Sequence, residues 1–226
     1  MLRGLEPLGS LLTPAAGIAL SPIPVIAVVV VVASSNGRAK GVAFAGGWLV
    51  GLGLLTVAVA VLVERTVRDD TSRLVLDLIR VLAGVGLIYA AWTKWQKRPP
   101  DGEGSTLPGW IASIDEATMI RTARLGALLG GANPKNLVFA ASAAASIALA
   151  GEGNRNTLLL AVVFVALSSI TVLGAVALKL IGGARAEATL GSVHACMIHN
   201  ANIITIVILV LIGTKIAGDG LSGLLG

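Results

Sequence analysis

Gly130-Gly131-Ala132-Asn133-Pro134-Lys135-Asn136 interrupts an apolar run that extends from Leu125 to Ala150. Pro134 has no N–H to give to a helix, and its ring disfavours helical backbone in the residue before it. The stretch therefore predicts a helix break or kink. Two adjacent glycines and two asparagines surround that break, and Lys135 places a charge in otherwise apolar sequence. In a soluble chain this would read as a loop. In a membrane, irregular backbone survives only where protein buries it or where it lines a watery cavity. The stretch is read as half of a transport site.

Composition places the break in a membrane. The 226 residues are 55% hydrophobic and 13% charged, with mean hydropathy +0.89, against about 25% charged for a soluble domain. Aromatics are only 4%, so the apolar content is Val, Ala, Leu and Ile. A net charge of +5 suggests nucleic acid only superficially. The basic residues are scattered between apolar runs, as in a positive-inside membrane protein. Cys196 is the only cysteine, which excludes an intramolecular disulfide and a two-thiol relay within one chain. No signal-peptide cleavage site follows the first apolar run.

Six spans are predicted in one transmembrane domain, at about Leu8–Ala33, Ala39–Val63, Leu74–Trp95, Ala123–Ala150, Thr157–Ile181 and Asn202–Ile216. The loops after spans one, three and five hold nine Lys and Arg, against six on the other side. That bias puts both termini outside the plasma membrane. The longest loop, about 96–122, begins with a turn-rich stretch. Its second part places Trp110, Ile114 and Ala117 on one helical face, and is either a surface amphipathic helix or an irregular linker.

An internal comparison organises these spans. Ser21-Pro22-Ile23-Pro24 lies in the first and Asn133-Pro134-Lys135-Asn136 in the fourth. Pro22 and Pro134 are 112 positions apart (134 minus 22), almost half the chain. Three spans per half insert the halves in opposite senses. The fold expected is all-α, two inverted three-helix repeats (about 8–95 and 123–217) with broken first and fourth helices. Matching interrupted segments in inverted halves point to a transporter site near the bilayer midplane.

Candidate residues follow from the breaks. Ser21, Pro22 and Pro24 either expose unwound backbone to a substrate path or merely kink the helix. At the second break, Asn133, Pro134 and Asn136 flank Lys135, which either attracts an anionic group or snorkels to the nearer surface. Asp77 and Arg80 share one helical face, either as a proton-coupling site or as an ion pair anchoring the helix end. Lys179 reads as snorkelling. Asn200 either packs helices together or lines the path. His194 and His199 are five apart, off one helical face, so no metal site and no cofactor are expected. Glycines spaced G-x-x-x-G, at Gly47 and Gly51 and at Gly126 and Gly130, suit close helix packing inside the chain more than dimerisation. No phosphate-binding loop and no catalytic constellation is present, so neither direct ATP use nor enzymatic activity is expected.

The run from Ala19 to Ala27, that from Ala43 to Gly51, Asn133-Pro134-Lys135-Asn136-Leu137, and the ending from Ile212 to Leu221 resemble the GAP family. These are the peptidoglycolipid and sulfolipid addressing proteins of mycobacteria and related actinobacteria, placed in the lysine exporter (LysE) superfamily. The resemblance implies a six-span protein that exports, or helps to export, envelope lipids or glycolipids. Amino-acid exporters of the superfamily usually carry Pro-Gly-Pro in the first span, where this chain has Pro22-Ile23-Pro24. The reading favoured is export of an amphipathic, anionic envelope lipid, its headgroup meeting Lys135. A small-solute exporter for an amino acid or metal cation, and a non-transporting scaffold, are the alternatives. Candidate partners besides the lipid are a second copy and other lipid-export proteins.

Overall fold

The computed structural model describes residues 6–66, 70–97, 114, 116–149 and 154–225. Nine α-helices follow in order among them: α1 (Glu6–Ala19), α2 (Pro22–Ala33), α3 (Gly37–Thr66), α4 (Asp70–Gln96), α5 (Met119–Gly131), α6 (Pro134–Leu149), α7 (Asn154–Ser168), α8 (Ile170–Ile181) and α9 (Gly183–Leu225). Segments 37–63 of α3 and 199–225 of α9 are each long and apolar enough to cross a membrane unaided. Two bent pairs, α1 with α2 and α7 with α8, would do so as broken spans. In the two long segments only 33% of the most apolar window is buried, so hydrocarbon must cover the rest. On α4, Leu74, Leu78, Leu82, Val85, Tyr89 and Trp92 are exposed at helical spacing, an outward apolar stripe. The chain is an all-helical membrane protein in its described residues.

Both expected breaks are present. α1 and α2 meet at a 57° bend over Leu20 and Ser21. Ala132 and Asn133 separate α5 from α6. Two expectations need correction. The span expected as continuous over Thr157–Ile181 is broken at Ser169, where α7 and α8 diverge by 58°. A serine pair rather than a proline marks the place, and the Ser169 hydroxyl bonds the Val165 carbonyl at 2.7 Å, competing with the helix ladder. The short last span, Asn202–Ile216, is the middle of α9, whose apolar segment runs to 225. The surface helix considered around Trp110 lies mostly outside the described residues, though Ile114 is buried.

Two glycine seams set the distances between helices. α3 lies along α5 with backbones in contact. A Cβ on Gly47 or Gly51 would run into the carbonyls of Ala123 or Ala127, and one on Gly126 into that of Phe44. The G-x-x-x-G pairs thus face each other within the chain. α4 lies along α9 in the same manner, with Gly84 opposite Gly213 and Gly220 against the Asp77 carbonyl. Between the seams, α2 is buried almost all round, from Pro22 and Pro24 to Val31 and Val32. It packs on α3, α8 and α9, as a uniformly apolar helix must. Phe44, Trp48, Phe139 and Phe164 fill the centre. Trp48 Nε1 donates to Ser169 Oγ at 3.0 Å and ties α3 to the third break.

Two predictions follow from this packing. Gly126→Ala forces the α3–α5 seam apart and is expected to destabilise by about 1–3 kcal/mol. Gly46→Ala, with nothing within 4 Å of its added Cβ, leaves stability unchanged or raises it; thermal unfolding in detergent compares the two. In the same assay Trp48→Phe loses the bond to Ser169 and some packing, about 1–3 kcal/mol. Trp92→Phe, on the exposed stripe, loses far less.

Candidate functional site

A helix end leaves four carbonyls without intrahelical partners, and hydrocarbon offers none. At the end of α1 all four are satisfied. Leu20 N bonds Ala16 O at 2.9 Å and Ser21 N bonds Ile18 O at 3.1 Å. The other two take side chains from distant helices. Lys135 Nζ donates to Gly17 O at 3.1 Å, and Thr171 Oγ1 to Ala19 O at 2.6 Å. At the end of α5, Ala132 N bonds Leu128 O at 2.9 Å. Asn136 Nδ2 then serves Leu129 O and Gly130 O, each at 3.0 Å.

The second halves begin with few exposed donors. In α2, Pro22 and Pro24 have no N–H, so two of the first three residues leave none unpaired. In α6, Pro134 has none either, and Asn133 Oδ1 accepts from Lys135 N at 3.0 Å, a side-chain cap. The asparagines and prolines predicted as site residues thus first serve to make the breaks tolerable in an apolar setting.

The two breaks line one cavity of about 460 Å³. The first contributes Ser21, Pro22 and Ile23, and the second Asn133, Pro134, Lys135 and Val138. α4 closes one side with Ala83, Gly86, Leu87, Ala90 and Lys94, and α9 adds Thr205 and Leu209. Lys135 Nζ lies 5.5 Å from the centre of the Phe139 ring, within cation–π range. No carboxylate among the described residues pairs with it. An ammonium has three donors, and the Gly17 carbonyl takes one. Helix N-termini carry partial positive charge, and the first turns of α2 and α6 both border this space.

Other expected site residues lie elsewhere. Pro24 is buried within α2, and Asn136 is wholly buried; neither lines the cavity. Asn136 Oδ1 has no protein partner. Asn200 is on α9 but donates to the Cys196 carbonyl on its own helix at 3.0 Å. Thr205, which sequence reasoning missed, faces the cavity instead. Asp77 and Arg80 pair at 2.9 Å with little exposure of either side chain. Gly220 and Gly223 of α9 press on Asp77, so the pair sits inside the α4–α9 seam. Arg80 lines a second, apolar chamber of about 270 Å³ whose wall shares Ala83 and Val138 with the first cavity. Lys179, expected to snorkel, bonds Glu187 at 2.8 Å. That hydrogen bond holds the Glu187 carboxyl below its ordinary value. Cys196 is exposed, and no group of three metal-ligating side chains occurs among the described residues.

No curated protein and no solved structure matches the chain. A family model described as Sap, sulfolipid-1-addressing protein (SfLAP), matches residues 11–222, a stretch that takes in both breaks and every residue of the cavity lining. The chain belongs to that sulfolipid-1-addressing family.

Proposed function

We propose that the protein translocates an anionic, amphipathic envelope lipid or glycolipid across the plasma membrane, with the headgroup held at Lys135. The observation that carries this reading is the shared cavity. Two helix breaks far apart in sequence border one space, and neither of its two lysines, Lys94 and Lys135, has a carboxylate partner among the described residues. A charge left within an apolar span costs about 3 kcal/mol or more, and an anionic headgroup would offset that cost. Ser21 and Asn133 offer neutral hydrogen-bonding groups beside it, while the Thr205 hydroxyl donates to the Ala201 carbonyl at 2.7 Å. Family membership supports lipid rather than a small solute as cargo. A cationic amino acid or metal ion would meet an unpaired positive charge.

Packing supports the inverted-repeat architecture. α5, the first half of the fourth span, lies on α3, and α1, the first half of the first span, lies on α7. α4 lies on α9. Exchanging the halves of the chain maps the first of these pairs onto the second and the third onto itself. Six spans with both termini outside belong to the same proposal. Proton coupling through Asp77 would require the pair with Arg80 to open, because Arg80 Nη1 holds the carboxylate at 2.9 Å.

Lys135→Gln keeps a donor for Gly17 and removes the charge. Its expected effect is a loss of lipid translocation on the order of tenfold to a hundredfold, read in reconstituted vesicles, with a thermal midpoint close to that of the unaltered protein. Lys135→Arg retains a large part of the rate. Unchanged translocation by the Gln variant would remove the headgroup role.

A further inference from the structure

The cavity at the breaks adjoins a second space. Ala83 of α4 and Val138 of α6 line the cavity, and the same two residues line the second chamber. The polar side chains lining the first space, Ser21, Lys94, Asn133, Lys135 and Thr205, do not line the second. Beyond the pair stand Val59, Leu62, Leu137, Ala141 and Ile216. Only Ser142 and Arg80 are polar there, and Arg80 is neutralised by Asp77 at 2.9 Å. Along α4, Lys94 and Arg80 are fourteen residues apart (94 minus 80), or about 21 Å at the helical rise. The two spaces together thus run far along the helix, charged at one end and apolar at the other. That is the polarity of one single-chain segment of an anionic lipid.

We propose that the second chamber takes an acyl chain of the lipid whose headgroup meets Lys135, and that Ala83 and Val138 form the neck that sets which chains enter. The inference rests on the headgroup reading above for its anchor. Ala83 contributes a methyl group and Val138 an isopropyl group to the lining of both spaces. A larger side chain at Ala83, on α4, narrows the passage from the helix opposite Lys135 and Asn133; one at Val138 does so from a position one helical turn past Lys135. Chains too short to reach the neck are indifferent to it, and longer ones are excluded.

The test uses purified full-length protein in lipid nanodiscs and displacement of a fluorescent alkyl phosphate. Competitors are single-chain alkyl phosphates of increasing length and the matching monoacylglycerols. The ratio of unaltered to variant affinity is read at each length, so partitioning of the probe into the disc cancels. For Ala83→Leu the expected ratio stays near one for short chains and rises to about tenfold or more for long ones. Val138→Phe gives the same pattern and serves as the second variant if Ala83→Leu fails to fold. A ratio independent of chain length in both variants overturns the proposal, as does loss of short-chain binding in both. Monoacylglycerols that bind as tightly as the phosphates, with the length dependence intact, would refute the headgroup reading while leaving the neck standing. A long-chain phosphate carrying a terminal diazirine is expected to label Ile216, Val59 or Val63, which line the chamber and are buried from the bilayer; labelling confined to exposed side chains such as the outward stripe of α4 counts against the chamber.

Discussion

Every backbone polar group in hydrocarbon needs a partner from the protein, and this constraint shapes the centre of the molecule. Breaking a span creates unpaired carbonyls on one side of the break and unpaired N–H groups on the other. The chain deals with the two sides differently. Donors are deleted, by Pro22, Pro24 and Pro134, or capped, by Asn133. The carbonyls receive donors from side chains outside their helix: Lys135 and Thr171 for α1, and Asn136 for α5. Because Lys135 belongs to the second break and serves the first, the two breaks are one unit. The same residue then has a structural bond to hold and a charge to spare. Its position in the proposed path follows from the first duty, and its chemistry from the second.

The glycine seams make that unit possible. Lys135 reaches Gly17 only if α6 and α1 are held at a fixed separation, and those two helices pack directly on each other. Gly17 itself faces Phe139 and Ile212, with no room for a side chain. The α3–α5 and α4–α9 contacts place the outer walls by backbone-to-backbone approach, which tolerates little adjustment. Ala83, by contrast, sits one position from Gly84, whose seam with Gly213 fixes how far α4 can move from α9. A proposed neck built beside a rigid seam has a width that side-chain size alone decides.

The proline breaks were legible in the sequence because their cause is local. A missing N–H and a restricted preceding residue act without reference to the rest of the fold. The facing of the glycine pairs was half legible: the spacing announced a close contact but not its partner. The break at Ser169 was not legible as such. A serine pair bends a helix only when something stabilises the bend, and here that is Trp48, 121 positions away. Asn200, read as either packing or path-lining, and Thr205, which lines the cavity, differ in helical phase. Five residues correspond to about 140° around an α-helix, and nothing in the run His199-Asn200-Ala201-Asn202 shows which face turns inward. The last span, expected over Asn202–Ile216, is shorter than α9 because polar residues flank that apolar stretch without ending the helix.

The central claim is that the two breaks meet at a space open to water. Thiol labelling with a membrane-impermeant reagent, in a Cys196→Ser background, tests it most directly. Cysteines placed at Ser21 and Asn133, which line the cavity, are predicted to label. A cysteine at Val28, wholly buried in the same helix as Pro22, is predicted to stay unlabelled. If the Ser21 and Asn133 positions were as inert as Val28 in the folded protein, the breaks would be sealed in apolar packing and the proposed path would not exist.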